Sequence, residues 1–240
     1  MDQRIDRMRI DRMRIGVLGL TPGAGAGFLC SCLARAAFLE RNLRPAVLEL
    51  GCAGLYDSLA MDKRLPAGRY FSFHHTVASD RSIRGRSNLV DGVNWMLVDG
   101  QEAELDLYQR LRLVHNAEGE LVFCRLSGVP EAELWKLMPE MDRILAVIDP
   151  LPSSMLAGYE RLCELRTDGS PITYIVNKYN DGVDRRELLQ FLNVSKPIFV
   201  PMVAPEAVYG AEYACRTVYD MAPAKKVLQA PCREILSVLL

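Results

Sequence analysis

Short apolar runs alternate with longer mixed stretches along most of the chain. Ile15–Leu20, Ala46–Leu50, Val93–Val98, Glu120–Leu126, Ile144–Ile148, Ile172–Val176 and Ile198–Val200 read as strands. Between them, Phe28–Glu40, Glu102–His115, Glu131–Leu137, Ser153–Leu165 and Arg185–Phe191 have helical length and patterning, and Pro223–Leu240 continues helical despite Pro231. Residues 56–91 are polar and Arg-rich, with little periodicity of either kind.

Strands separated by helices predict an α/β fold: a mostly parallel sheet with helices on both faces. Uninterrupted apolar strands such as Ile144-Leu-Ala-Val-Ile148 suit positions buried on both sides. No Pro/Gly/Ser-rich linker divides the chain, so residues 14–240 are expected to form a single domain. Arg-Ile-Asp-Arg-Met occurs twice, at 4–8 and 9–13, and a five-residue period matches neither helix nor strand. Residues 1–13 are therefore read as a tail, with Met8 and Met13 as alternative starts to Met1.

Composition narrows the function classes. The net charge of −1 supplies no global attraction for nucleic acid or anionic lipid, so no specific nucleic-acid partner is expected. No apolar run reaches the length of a membrane span, and the N-terminus lacks the apolar segment of a secretory signal. Seven cysteines without a C-x-x-C pair fit a reducing cytoplasm, with Cys30 and Cys32 read as buried structural thiols. His74 and His75 lack a third ligand at readable spacing and are expected to be loop histidines, so no metal centre is predicted. Arg81, Arg84 and Arg86 are read as a solvated loop, and Ile235–Leu240 as core helix rather than a membrane-seeking tail.

The chemistry rests on the turn after the first strand. Leu20-Thr-Pro-Gly-Ala-Gly-Ala-Gly-Phe28 joins a strand to a helix, the setting of a phosphate-binding loop. Such a loop needs flexible backbone to turn N–H groups toward phosphate, a lysine for the β/γ oxygens and a hydroxyl for Mg²⁺. Gly23, Gly25 and Gly27 meet the first need; Ala26 stands at the lysine position and Gly27 at the hydroxyl position. A tight turn that binds nothing is the alternative reading.

Read with the rest of the chain, Arg14–Leu240 resembles the MinD/ParA family of P-loop ATPases, whose loop runs K-G-G-x-G-K-(S/T). Thr21 falls on the first lysine and Pro22 on the first glycine, while Gly23 and Gly25 are kept. The family's D-x-D matches Glu49-Leu50-Gly51, with the second acid lost, and its Walker B strand matches Leu121-Val-Phe-Cys-Arg125, with arginine in place of aspartate. Better matched are Met141–Pro150 followed by Ser153-Ser154, Thr173-Tyr-Ile-Val-Asn177-Lys178-Tyr179, Phe199-Val-Pro201 with a helix around Ala211–Thr217, and the start of the last helix at Ala222-Pro223.

The resemblance implies the P-loop NTPase architecture, with Gly23, Ala24, Gly25, Ala26, Gly27, Phe28 and Asn177 as the nucleotide-contacting positions. Asn177 would read an adenine edge or simply cap a strand end. Lys178 is the one strand-end lysine available to replace the missing charge; solvent is the ordinary place for such a side chain. A loop stripped of its lysines, hydroxyl and acids predicts no catalytic residue, no metal, and no cofactor beyond weakly bound ATP or ADP. The implied function is a non-hydrolysing localisation, partitioning or assembly factor acting through another protein. The pilus-localisation protein TadZ is one comparison among relatives with altered loops. It would be a monomer or a nucleotide-independent homodimer. The alternative is a weakly active ATP-binding switch or ATPase with a non-standard loop.

Overall fold

The computed structural model describes residues 12–65, 69–99 and 105–240. Its sheet has eight strands: β1 (Met13–Gly19), β2 (Pro45–Glu49), β3 (Leu89–Val90), β4 (Val93–Met96), β5 (Leu121–Arg125), β6 (Arg143–Ile148), β7 (Ile172–Tyr179) and β8 (Ile198–Pro201). They lie in the order β3-β4-β2-β5-β1-β6-β7-β8, all parallel except the β3–β4 pair.

Alternate strand residues feed two apolar layers, because successive side chains point to opposite faces. Ile15, Val17, Val47, Phe123 and Val147 pack beneath α1 (Ala26–Arg41), with α10 (Pro205–Tyr213) and α11 (Ala222–Leu239). Leu18, Leu48, Val122, Ala146 and Val176 pack under α5 (Leu107–Asn116), α6 (Glu131–Leu137), α8 (Tyr159–Thr167) and α9 (Arg185–Leu192). The expected α/β architecture, a mostly parallel sheet with helices on both faces, is what forms.

Several local expectations are corrected. The 56–91 stretch contains short helices α2 (Leu55–Ser58), α3 (Met61–Arg64) and α4 (Phe73–Ala78), together with β3. Elements of two to six residues are too brief to print a period. His74 and His75 therefore lie on α4, not in a loop, and His74 is buried beside Phe73 and Val77. The helix read over Ser153–Leu165 is two helices, α7 (Pro152–Ala157) and α8, meeting at Gly158. The helix placed around Ala211–Thr217 ends at Tyr213; Pro205 starts it, in the first-turn position where a missing N–H costs nothing. Residues 102–104 of the helix read over Glu102–His115 lie outside the described residues, as do residues 1–11 of the tail. Met13 already belongs to β1.

Other readings stand. Arg81, Arg84 and Arg86 are exposed, and Arg84 donates to Asn116 Oδ1 at 3.0 Å. Cys30 and Cys32 are buried, as are Ile235, Leu236 and Leu239. No helix among the described residues is long and apolar enough to cross a membrane.

Candidate functional site

In a parallel sheet the strands' carboxyl ends converge on one edge, where side chains from different strands meet. Here that edge gathers the turn after β1, the ends of β2 and β5, and the end of β7. The turn holds Gly23 at φ 80° and Gly25 at φ 97°, backbone regions that an L-residue rarely adopts. Gly25 caps α1 without any side-chain hydrogen bond.

Two residues from β7 clamp this turn. The Asn177 amide donates to Ala24 O at 2.9 Å, and Asn177 is 3 % exposed. A Cβ on Gly25 would lie 2.2 Å from the Asn177 Nδ2, so glycine at 25 is a condition of the clamp. Because a peptide's C=O and N–H point in opposite directions, binding Ala24 O to β7 turns the Gly25 N–H away from it. Lys178 adds a second tie: its Nζ donates to Gly23 O at 2.8 Å and pairs with Asp149 at 2.6 Å. Lys178 still lies at the surface, as expected of a strand-end lysine, with its side chain 38 % exposed, but its ammonium is held by these two partners. Its backbone is left-handed, at φ 58°.

The opposite wall comes from β2 and β5. Arg125 reaches Glu49, with Nη1 to Oε1 at 2.7 Å, and the same nitrogen lies 3.3 Å from both Cys52 O and Ala53 O. Glu49 is fully buried and its oxygens also accept from the Leu55 and Val98 N–H groups, at 3.2 and 3.0 Å. Burial pushes its carboxyl above the ordinary range, against the pull of the Val98 N–H and the Arg125 guanidinium. Arg125 lies over Gly27: a Cβ there would be 3.2 Å from Cζ and 3.4 Å from Nε. Among the described residues, Nε of Arg125 is buried without a hydrogen-bond partner. At Gly51 a Cβ would meet Gly128 C and Val129 N at 2.4 Å, so no side chain fits that backbone.

Two adjoining cavities result. One, of about 300 Å³, is lined by Thr21 to Phe28, Gly54, Arg125 and Ser127. The other, of about 510 Å³, is mostly apolar and bounded by Phe28, Asn177, Met202, Pro205 and Tyr209. All seven positions singled out from the sequence, Gly23 to Phe28 and Asn177, border one or both. Arg125 and Lys178 complete the set. Arg125 had been visible only as a missing aspartate, and its signal was the simultaneous loss of a hydroxyl at 27 and gain of a cation at 125.

A Mg²⁺ ion does not fit these residues. Gly27 offers no hydroxyl, Gly51 no carboxylate, and a guanidinium stands beside the place where a loop hydroxyl would hold the ion. Glu49 is already saturated by two N–H groups and Arg125. Among the described residues no group of three or more His, Cys, Asp or Glu side chains is placed to hold a metal. Nor does the loop cavity present a general base, because the nearby Asp149 is tied to Lys178 and to the Leu151 N–H.

This topology, with a glycine turn at the carboxyl end of a central strand, is the fold of the MinD/ParA P-loop ATPases. A ParA family ATPase from Chlorobium tepidum superposes with a TM-score of 0.75 at 14% identity, covering 95% of this chain and 98% of its own. MinD from Pyrococcus horikoshii, solved with Mg-ADP, gives 0.70 at 12% identity, with 93% and 96% covered. MinD from Aquifex aeolicus, solved in a MinC:MinD complex, gives 0.71 at 13%, with 94% and 96% covered. At such identities the likeness is one of fold. No protein-family model matches the sequence, and no curated protein matches it.

Proposed function

We propose that this protein is a non-hydrolysing relative of MinD and ParA, cytoplasmic and built as one domain over residues 14–240, that acts in localisation, partitioning or assembly through contacts with another protein. The observation that carries this reading is Arg125 lying over Gly27 and bound to Glu49. Phosphoryl transfer depends on positioned charge around the transferring group and its metal. In this cavity the metal's hydroxyl and acids are absent, and a fixed cation stands in their place. Gly23 to Phe28 and Asn177 remain the positions at which any nucleotide would be met, with low affinity for Mg²⁺-ATP.

The protein partner is proposed by fold analogy; MinD of Aquifex aeolicus was solved in complex with MinC. Phosphate release from Mg²⁺-ATP is the direct test, and it is expected at the level of buffer alone. Mg²⁺-dependent turnover that disappears in Gly25→Asp would overturn the reading.

The second reading, a weak ATP-binding switch or slow ATPase, draws support from Lys178, whose ammonium reaches Gly23 O from another strand. That ammonium is already paired with Asp149, which favours a structural role.

A further inference from the structure

We infer that the groove between α7 and α9 docks an amphipathic helix of another protein, one whose apolar face is flanked by lysine or arginine. The inference rests on the protein-contact reading above and adds to it a surface and the chemistry of the partner.

The sequence marks this surface first. Pro150-Leu-Pro-Ser-Ser-Met-Leu-Ala-Gly-Tyr159 carries no charged residue, in a chain whose charged share is 25%. Such a run suits a core, yet α7 contains no buried residue. Leu156 is 70 % exposed, Leu151 58 % and Tyr159 45 %. Single apolar residues on a surface are ordinary, whereas a contiguous run of them marks a contact site.

Beside α7 lies a groove of about 720 Å³, with Leu151, Met155, Val183, Phe191 and Met202 as its apolar lining. Tyr159 extends that lining by packing on Phe191, with ring centroids 5.4 Å apart. None of Thr21 to Phe28 borders the groove, so it is distinct from the loop cavity. The strands that end there, β6 and β7, each have a neighbour on both sides. With no free strand edge on offer, an occupant must satisfy its own backbone, as a helix does.

Charge decides the sign of the occupant. Asp184, Glu187 and Phe191 follow one another at helical spacing and line the groove, while Arg185 and Arg186 fall off that stripe. Arg185 lies instead over the Phe199 ring, 4.4 Å from its centroid. The single cation in the lining, Lys178, is paired with Asp149. Asp184 and Glu187 have no ion-pair partner among the described residues. An apolar floor under an uncompensated acidic rim is complementary to a helix with basic flanks.

Fluorescence anisotropy with the whole chain tests this, using three labelled synthetic peptides of about five helical turns. One has leucines at helical spacing flanked by lysine, the second has glutamate for lysine, and the third shuffles the lysine peptide so that no apolar face forms. The first is expected to bind at least about tenfold more tightly than the others, and more weakly as salt rises. Leu151→Ser removes an apolar contact and keeps the fold, because serine is favoured at a helix N-cap. It is expected to weaken binding about tenfold. Leu89→Ser, at a position 65 % exposed on the sheet's β3 edge, is expected to change nothing. Glu187→Lys is expected to shift preference toward the glutamate peptide. Equal binding of the three peptides, no binding of the lysine peptide, indifference to Leu151→Ser or Glu187→Lys, or an equal loss in Leu89→Ser would overturn the inference. Two further outcomes also overturn it: a concentration-dependent dimer lost in Leu151→Ser gives this face to a second copy, and binding to phosphatidylcholine vesicles lost in the same variant gives it to a lipid surface. The phosphate-release assay keeps the two ideas apart. Turnover of Mg²⁺-ATP defeats the non-hydrolysing reading, whereas failed peptide binding without turnover defeats this inference alone.

Discussion

Removing the Asn177 amide would strip Ala24 O of its donor at a position sealed from water, so Asn177→Ala is expected to destabilise by about 1–3 kcal/mol in denaturant melts. Arg125→Ala leaves the Glu49 carboxylate without its counter-charge in a dry site, for which about 3–5 kcal/mol is expected. His74 supplies a pH dependence. Its Nε2 donates to Glu49 O at 2.6 Å, while Nδ1 is buried without a partner among the described residues. Burial holds its pKa below the ordinary 6.5; Asp99 pulls it upward and Arg110 pushes it down. The unfolded chain therefore binds more protons between the lowered value and 6.5, and stability is lost as pH falls through that window. Melting midpoints from about pH 7 to about pH 5 should fall more steeply in the wild type than in His74→Gln. At this scale Gly23 and Gly25 were legible because only glycine suits a strand-to-helix turn of that kind. Arg125 and Lys178 were not. Their roles depend on which backbone lies opposite, and a one-dimensional pattern carries no such distance.

Among the elements, α5 offers the cleanest test of local sequence logic. Asp106 accepts from the Gln109 N–H at 2.8 Å, and the Gln109 side chain accepts from the Asp106 N–H at 3.0 Å, a reciprocal capping box. Asp106→Ala is expected to cost about 0.5–2 kcal/mol, read as a shift in the denaturant midpoint with unchanged slope. The central strands β2, β5 and β6 were legible because they are buried on both faces and write nearly unbroken apolar runs. β3 was missed because two residues cannot. The break between α7 and α8 was hidden for a different reason. Gly158 sits where a Cβ would meet Leu20 Cβ at 3.0 Å and Thr21 Cγ2 at 3.2 Å, so the glycine admits close approach to the turn after β1. That requirement comes from a neighbour over a hundred residues away in sequence.

For the molecule as a whole, the fold predicts association behaviour. The ATP-linked pairing that the family resemblance implies uses a loop lysine to reach a second copy's phosphates, and Thr21 stands at that position. A ligand with no differential affinity for the paired state cannot shift its population. Light scattering or sedimentation should therefore give the same mass with and without Mg²⁺-ATP, and a nucleotide-driven increase would count against the non-hydrolysing reading. The backbone at Gly51 carries a further consequence, which concerns repair. Aspartate at 51 would drive its Cβ into Gly128 and Val129, and serine at 27 would press its Cβ against the Arg125 guanidinium, 3.2 Å from Cζ. Aspartate at 125 would set two carboxylates side by side with no cation between them. On the non-hydrolysing reading, the differences at 27, 51 and 125 are thus tied together in space, and taking back one of them alone does not rebuild a metal site. If that reading holds, installing hydrolysis here takes the turns after β1, β2 and β5 together.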